Sequence, residues 1–152
     1  FEGNQLKIQV PETAGANSIL ELVSSDVSAK YTVSFAKVIW TGEYPLPVKP
    51  DGGWNGNEEL GWGRYDWSSV QPGTIITVYY TLNMEETNRQ IKLGCANGWA
   101  ELPTIPIKGL EAGSTRFSAT LKAEDLRILS QNNNDGLVVS GCNFTMTKVT
   151  LK

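Results

Sequence analysis

Histidine is missing from this chain of 152 residues, and with it go the commonest general base and the commonest zinc ligand. Cysteine is scarce: Cys95 and Cys142 are the only two, too far apart for a C-x-x-C redox motif or a zinc site. They read either as two small buried hydrophobes or as one disulfide, which would agree with secretion. A formal net charge of −3 offers no general attraction to phosphate backbones or anionic membranes, so neither nucleic acid nor membrane is expected as a partner. No apolar run is long enough to span a bilayer, and the first residues do not read as a charged-then-apolar leader. Phe1 in place of Met is what a mature or excised module would show.

Helical periodicity is also scarce. One stretch, Lys122 to Ser130, sets Leu126 and Leu129 three apart, enough for a helical turn or two. Elsewhere the period is that of strands. Short alternating runs occur at Leu6 to Val10, Ser18 to Ser24 and Tyr31 to Trp40. After the Pro72-Gly73 turn, Thr74 to Asn83 is rich in β-branched and aromatic residues. It sets Ile76, Val78, Tyr80 and Leu82 on one face and Ile75, Thr77, Tyr79 and Thr81 on the other. In Arg89 to Ala96, residues Ile91, Leu93 and Cys95 turn inward and Gln90, Lys92 and Gly94 outward. Phe117, Ala119 and Leu121 mark a further strand, and Leu137 to Ser140 and Phe144 to Leu151 close the chain. Asn132 to Gly136 reads as a turn. About eight short strands with almost no helix predict an all-β fold, an antiparallel β-sandwich of the jelly-roll kind. The length suits a single domain over residues 1–152 with its own core.

Catalysis finds little support. Glycoside hydrolysis needs two carboxyl groups facing each other across the scissile bond. The pairs Glu58-Glu59 and Glu85-Glu86 are adjacent, so in a regular extended chain their side chains point opposite ways. A serine nucleophile would lack its histidine, and no glycine-rich phosphate loop follows a strand.

Tryptophan, by contrast, is abundant, with five in the chain. Thr41 to Gly73, rich in proline and glycine, carries Trp54, Trp62 and Trp67 and reads as an unusually long loop of the functional kind. A sugar ring packs its C–H face on an aromatic plane while its hydroxyls seek polar partners at the rim. Trp54 in Gly53-Trp54-Asn55-Gly56-Asn57 and Trp99 in Asn97-Gly98-Trp99 have that setting and are expected to bind ligand. Trp67, just before a core strand, is expected inside. Trp40 and Trp62 suit either role. Gln90, Lys92 and Tyr79 face outward and would form a polar floor beneath the loops if their sheet carries the site.

The segments Ile39-Trp40-Thr41-Gly42, Trp54, Trp67 ahead of Pro72-Gly73, Gln90-Ile91-Lys92, Trp99-Ala100-Glu101-Leu102 and the closing hairpin Gly136 to Val149 resemble β-sandwich carbohydrate-binding modules. Modules of this kind are attached to cellulases and related plant cell-wall hydrolases of gut and rumen anaerobes. The likeness covers residues 31 to 152. It implies a core role at Trp67 and a glycan site at Trp54, Gln90 and Trp99. The chain departs from it in a proline-rich approach to Trp54 and in the additional Trp62.

Residues and resemblance together imply a secreted, monomeric, non-catalytic module of a larger enzyme. Its partner would be a plant polysaccharide, a β-1,4- or mixed-linkage glucan including xyloglucan. No cofactor is expected, and structural calcium lacks the Asp-rich loop it would need. A cohesin- or adhesin-like interaction sandwich is the alternative, and it would require an aliphatic recognition face.

Overall fold

The computed structural model describes residues 36–47 and 54–152, all within one compact unit spanning Ser34–Lys152. The strands expected at Leu6 to Val10 and Ser18 to Ser24, and the start of the one at Tyr31, lie outside the described residues.

Among the described residues eight strands appear in chain order: β1 (Lys37–Leu46), β2 (Asn55–Gly61), β3 (Ile75–Leu82), β4 (Gln90–Cys95), β5 (Lys108–Gly109), β6 (Arg116–Thr120), β7 (Gly136–Cys142) and β8 (Phe144–Leu151). They form two four-stranded sheets, ordered β1-β8-β3-β6 and β2-β7-β4-β5. Every pairing is antiparallel. Strand 1 lies beside 8, 2 beside 7, 3 beside 6 and 4 beside 5. That order is a long antiparallel ribbon wrapped into two facing sheets, the jelly-roll solution to an all-β core. The short helices α1 (Ala123–Leu129) and α2 (Gln131–Asn134) follow β6.

Alternation sets the inner faces, reset once in β8 by a register shift between Met146 and Lys148. Ile76, Val78 and Tyr80 of β3, Met146 and Val149 of β8, Ile91 and Leu93 of β4, and Leu137 and Val139 of β7 are buried in one core cluster. Each such aliphatic residue contributes roughly 1.5–3 kcal/mol on leaving water. Trp67 begins a 3-10 turn and is fully buried, as expected. Its indole N–H donates to the Leu60 carbonyl at 2.9 Å, and Tyr65 meets its ring edge-on at 5.1 Å. In α1, Leu126 and Leu129 reach the core, and the buried Asp125 carboxylate caps the Lys122 N–H and receives the Thr104 hydroxyl.

Three expectations need correction. Thr41 to Gly73 is not one long loop: it holds the second half of β1, all of β2 and the turn at Trp67. Both strands are sheet edges, where a proline such as Pro45 is tolerated and pairing outweighs poor strand propensity. Asn132 to Gly136 is not merely a turn, because Gln131–Asn134 is helical before Gly136 reverses the chain at φ 72°. The adjacent carboxylates Glu58 and Glu59 do not point opposite ways. Asn57 pairs with Val139 and Leu60 with Leu137, so the two glutamates share the space opposite Val138 in a β-bulge.

Cys95 and Cys142 are both buried and free. Cys95 pairs with Leu137 at one end of β4, while Cys142 pairs with Gln90 at the other. Their Cα atoms are therefore roughly 15 Å apart at strand rise, well beyond the reach of a disulfide. Burial pushes the Cys95 thiol up from its ordinary value, which lowers its thiolate fraction at neutral pH.

Two outcomes follow. Trp67→Ala should destabilise the protein by about 3–5 kcal/mol through a buried cavity, read from urea unfolding. Native protein should react slowly with a thiol reagent, while denaturation without reductant releases two titratable thiols. A single bridge in the intact mass would contradict this register.

Candidate functional site

The outer face of the β2-β7-β4-β5 sheet is assembled by register. Lys92 of β4, Ser140 of β7 and Gly56 of β2 lie side by side across three strands, and Gly94 and Val138 form the next row. Gln90, Lys92 and Gly94 are the outward partners of the core residues Ile91 and Leu93. Small residues leave room for rings. A methyl group added at Gly56 would lie 2.7 Å from the six-membered ring of Trp99 and 3.1 Å from Val138, so that ring lies directly on the strand. Lys92 Nζ donates to the Trp99 carbonyl at 3.0 Å and stands 5.7 Å from the Trp54 ring centre. Ser140 beneath is fully buried, and its hydroxyl has no partner.

Glu58 joins two of the rings. Its Oε1 accepts the Trp99 indole N–H at 2.7 Å, and its Oε2 accepts that of Trp62 at 2.9 Å. Both tryptophans have left-handed backbones, with φ of 52° at Trp62 and 56° at Trp99. Trp99 follows Gly98, at φ 72°, so two successive left-handed residues reverse the chain after β4, the pattern of a type I′ turn. Glycine or asparagine ordinarily takes such positions, and a bulky residue there costs on the order of 1–3 kcal/mol. A hydrogen bond to a charged group contributes roughly 1.5–3 kcal/mol. The part-buried Trp99 bond can offset its strain on that scale. The Trp62 bond is exposed and weaker, and its turn is also held by the Trp62 N–H to the Asp135 carbonyl at 2.8 Å. Glu59, beside Glu58, is paired with Arg64 at 2.7 Å.

Of the seven residues expected at a site, Trp54, Trp62, Gln90, Lys92 and Trp99 are brought to this sheet. Trp62 is 54% exposed; the other four are half-buried. Trp40 and Tyr79 belong to the opposite sheet. Trp40 pairs with Val149, and its ring packs against the core. Tyr79 faces outward from β3 beneath Lys148, whose ammonium is 4.2 Å from its ring centre. Asn57, expected beside Trp54, is buried and turned away. Glu58 was weighed only as half of a carboxyl pair with Glu59 and not as a partner of the rings, because only the bulge, which no local pattern announces, keeps it on their face.

The arrangement offers flat apolar faces from Trp54, Trp62 and Trp99 with an amide, an ammonium and a carboxylate among them. That combination suits a ligand with alternating C–H faces and hydroxyl rims. Two surface depressions of about 340 and 260 Å³ lie elsewhere, one beside Ile105 and Phe117 and the other beside Tyr65 and Val70.

No family model and no curated protein matches the chain. Among solved structures, it is similar to the mixed-linkage glucan utilization locus protein SGBP-B of Bacteroides ovatus, determined in complex with a mixed-linkage heptasaccharide. The TM-score is 0.58 at 17% identity, over 80% of this chain and 30% of that one. The chain thus spans under a third of that protein's length, and the likeness is one of fold.

Gly56 tests the packing directly. Gly56→Ala should displace the Trp99 ring, changing the near-ultraviolet circular dichroism of the indoles and costing about 1–3 kcal/mol by overpacking. An unchanged spectrum would mean that the ring does not rest on β2.

Proposed function

We propose that this sandwich binds a neutral, extended β-glucan of the plant cell wall, without catalysis, along the outer face of β2. The carrying observation is that Trp54, Trp99 and Trp62 share one sheet face with Gln90, Lys92 and Glu58. Trp54 precedes β2 and Trp62 follows it, so at strand rise the aromatic row extends about 20–25 Å. That length favours an internal stretch of several sugars over a chain end. The mixed-linkage heptasaccharide bound by the Bacteroides ovatus protein supports the ligand class. Xyloglucan falls within the same class, since its backbone presents the same ring faces.

A non-catalytic role is supported by the engagement of both Glu58 oxygens with indoles and of Glu59 with Arg64, so that neither of these two carboxyls stands free. Among the described residues, no group of three or more His, Cys, Asp or Glu side chains could hold a metal ion. No helix among them is long and apolar enough to cross a membrane. We propose as its natural role that of a secreted, monomeric module concentrating an appended hydrolase on its substrate.

Affinity gels with a polysaccharide panel, followed by calorimetry, test the reading. β-Glucan should bind with a Kd of tens of micromolar, about 6 kcal/mol, unaffected by chelator and without release of reducing sugar. Affinity should rise with oligosaccharide length until the row is filled. Trp54→Ala and Trp99→Ala should each cost roughly 2 kcal/mol. Binding to homogalacturonan but to no β-glucan, mannan or xylan would overturn the proposal.

A further inference from the structure

Resting on the tryptophan face as the binding surface, we propose that Glu58 is a positioning residue: its carboxylate sets the angle between the Trp62 and Trp99 rings and so gives the surface its shape. The two rings come from separate turns, one directly after β2 and one after β4. Nothing in local chain geometry relates them, yet their N–H edges converge on one carboxylate, at 2.7 and 2.9 Å. With its N–H edge turned to Glu58, each indole is fixed in rotation about its own turn. The left-handed backbones of Trp62 and Trp99 add to this, because such conformations persist only where the surroundings over-determine them.

The chemistry demands a carboxylate. Two indole N–H groups are two donors and no acceptor, and here they bond different oxygens of Glu58, so each of those two positions needs an acceptor. A glutamine of the same size presents one oxygen and one NH₂, and the NH₂ would face the second indole donor to donor. One ring must then be released. Glu58 therefore acts through the rings, each of its oxygens holding one indole N–H.

The test is Glu58→Gln in the full chain, followed by ¹H–¹⁵N spectra of the five indole N–H groups and by calorimetry with mixed-linkage glucan. Signals of Trp62 and Trp99 are assigned with Trp62→Phe and Trp99→Phe. The expected result is movement of those two indole signals with the Trp40 and Trp67 signals in place, a melting temperature within a few degrees of wild type, and affinity about 10-fold weaker. Unchanged indole signals, or unchanged affinity despite shifted signals, would overturn the proposal. Failure of the wild type to bind any glucan would instead overturn the binding surface itself, and with it a shaping role for Glu58. If Glu58→Gln does not fold, the wild type decides. Its Trp62 and Trp99 indole signals must both lie downfield of that of Trp54, as carboxylate-bonded donors do, and their absence there overturns the proposal.

Discussion

Between Asn57 and Leu60, β2 carries one residue more than the strand it pairs with, and both faces of its sheet depend on that surplus. Regular alternation from Asn57, which faces the core, would send Glu59 inward and Leu60 out to solvent. The bulge absorbs one step. Leu60 returns to the core, 3% exposed, while Glu58 and Glu59 both stay outside. From its inner position Leu60 offers the carbonyl that receives the Trp67 indole, and from its outer one Glu58 receives the indoles of Trp62 and Trp99. Three indole N–H groups, one buried and two on the surface, are thus held by a three-residue stretch. Bulges re-aim side chains where function needs them, and here one irregularity ties the core tryptophan to the surface ones.

How much of this the amino-acid sequence discloses depends on the strand. In β3 and β4, apolar residues alternate with polar ones, and the buried faces fall where the alternation puts them, whereas in β8 a register shift between Met146 and Lys148 resets the parity and returns Val149 to the core. The expectation for Trp67 was sound because an apolar ring beside Pro72-Gly73 and a core strand has little else to pack on. The edge strands were hidden. β1 contains Pro45 and β2 contains Gly56 and Gly61, residues that weaken a strand reading but cost little where one side of the ladder is unpaired. Parity also has a blind spot. Gln90, Lys92 and Tyr79 all face outward, yet which of them neighbours Trp99 is decided by sheet order, and that order is a long-range property of the wrapped ribbon. Glu58 was illegible for a further reason: a bulge is set by the partner strand's register, which no local pattern in β2 records.

The aromatic surface is not uniform in stiffness. Trp99 has its ring against Gly56 and Val138, its N–H on Glu58 and its carbonyl on Lys92. Trp62 is more open, pinned by its backbone and one indole bond. Trp54 has the lightest hold shown here, a Lys92 ammonium 5.7 Å from its ring centre, worth about 0.5–1 kcal/mol at an exposed site. Lys92 therefore links a rigid ring to a looser one, and moving it disturbs both.

That gradient has an energetic meaning. Ordering a rotamer-rich side chain on binding costs about 0.5–1.5 kcal/mol, and a ring already fixed by its own hydrogen bond has met that cost during folding. The strain at Trp62 and Trp99 is the folding-side counterpart, taken from a core whose buried Ile, Leu and Val residues can supply it. On the proposed binding surface, with one end preorganised and the other loosely held, a chain engaged firmly at Trp99 would leave Trp54 to adjust to the next ring's tilt.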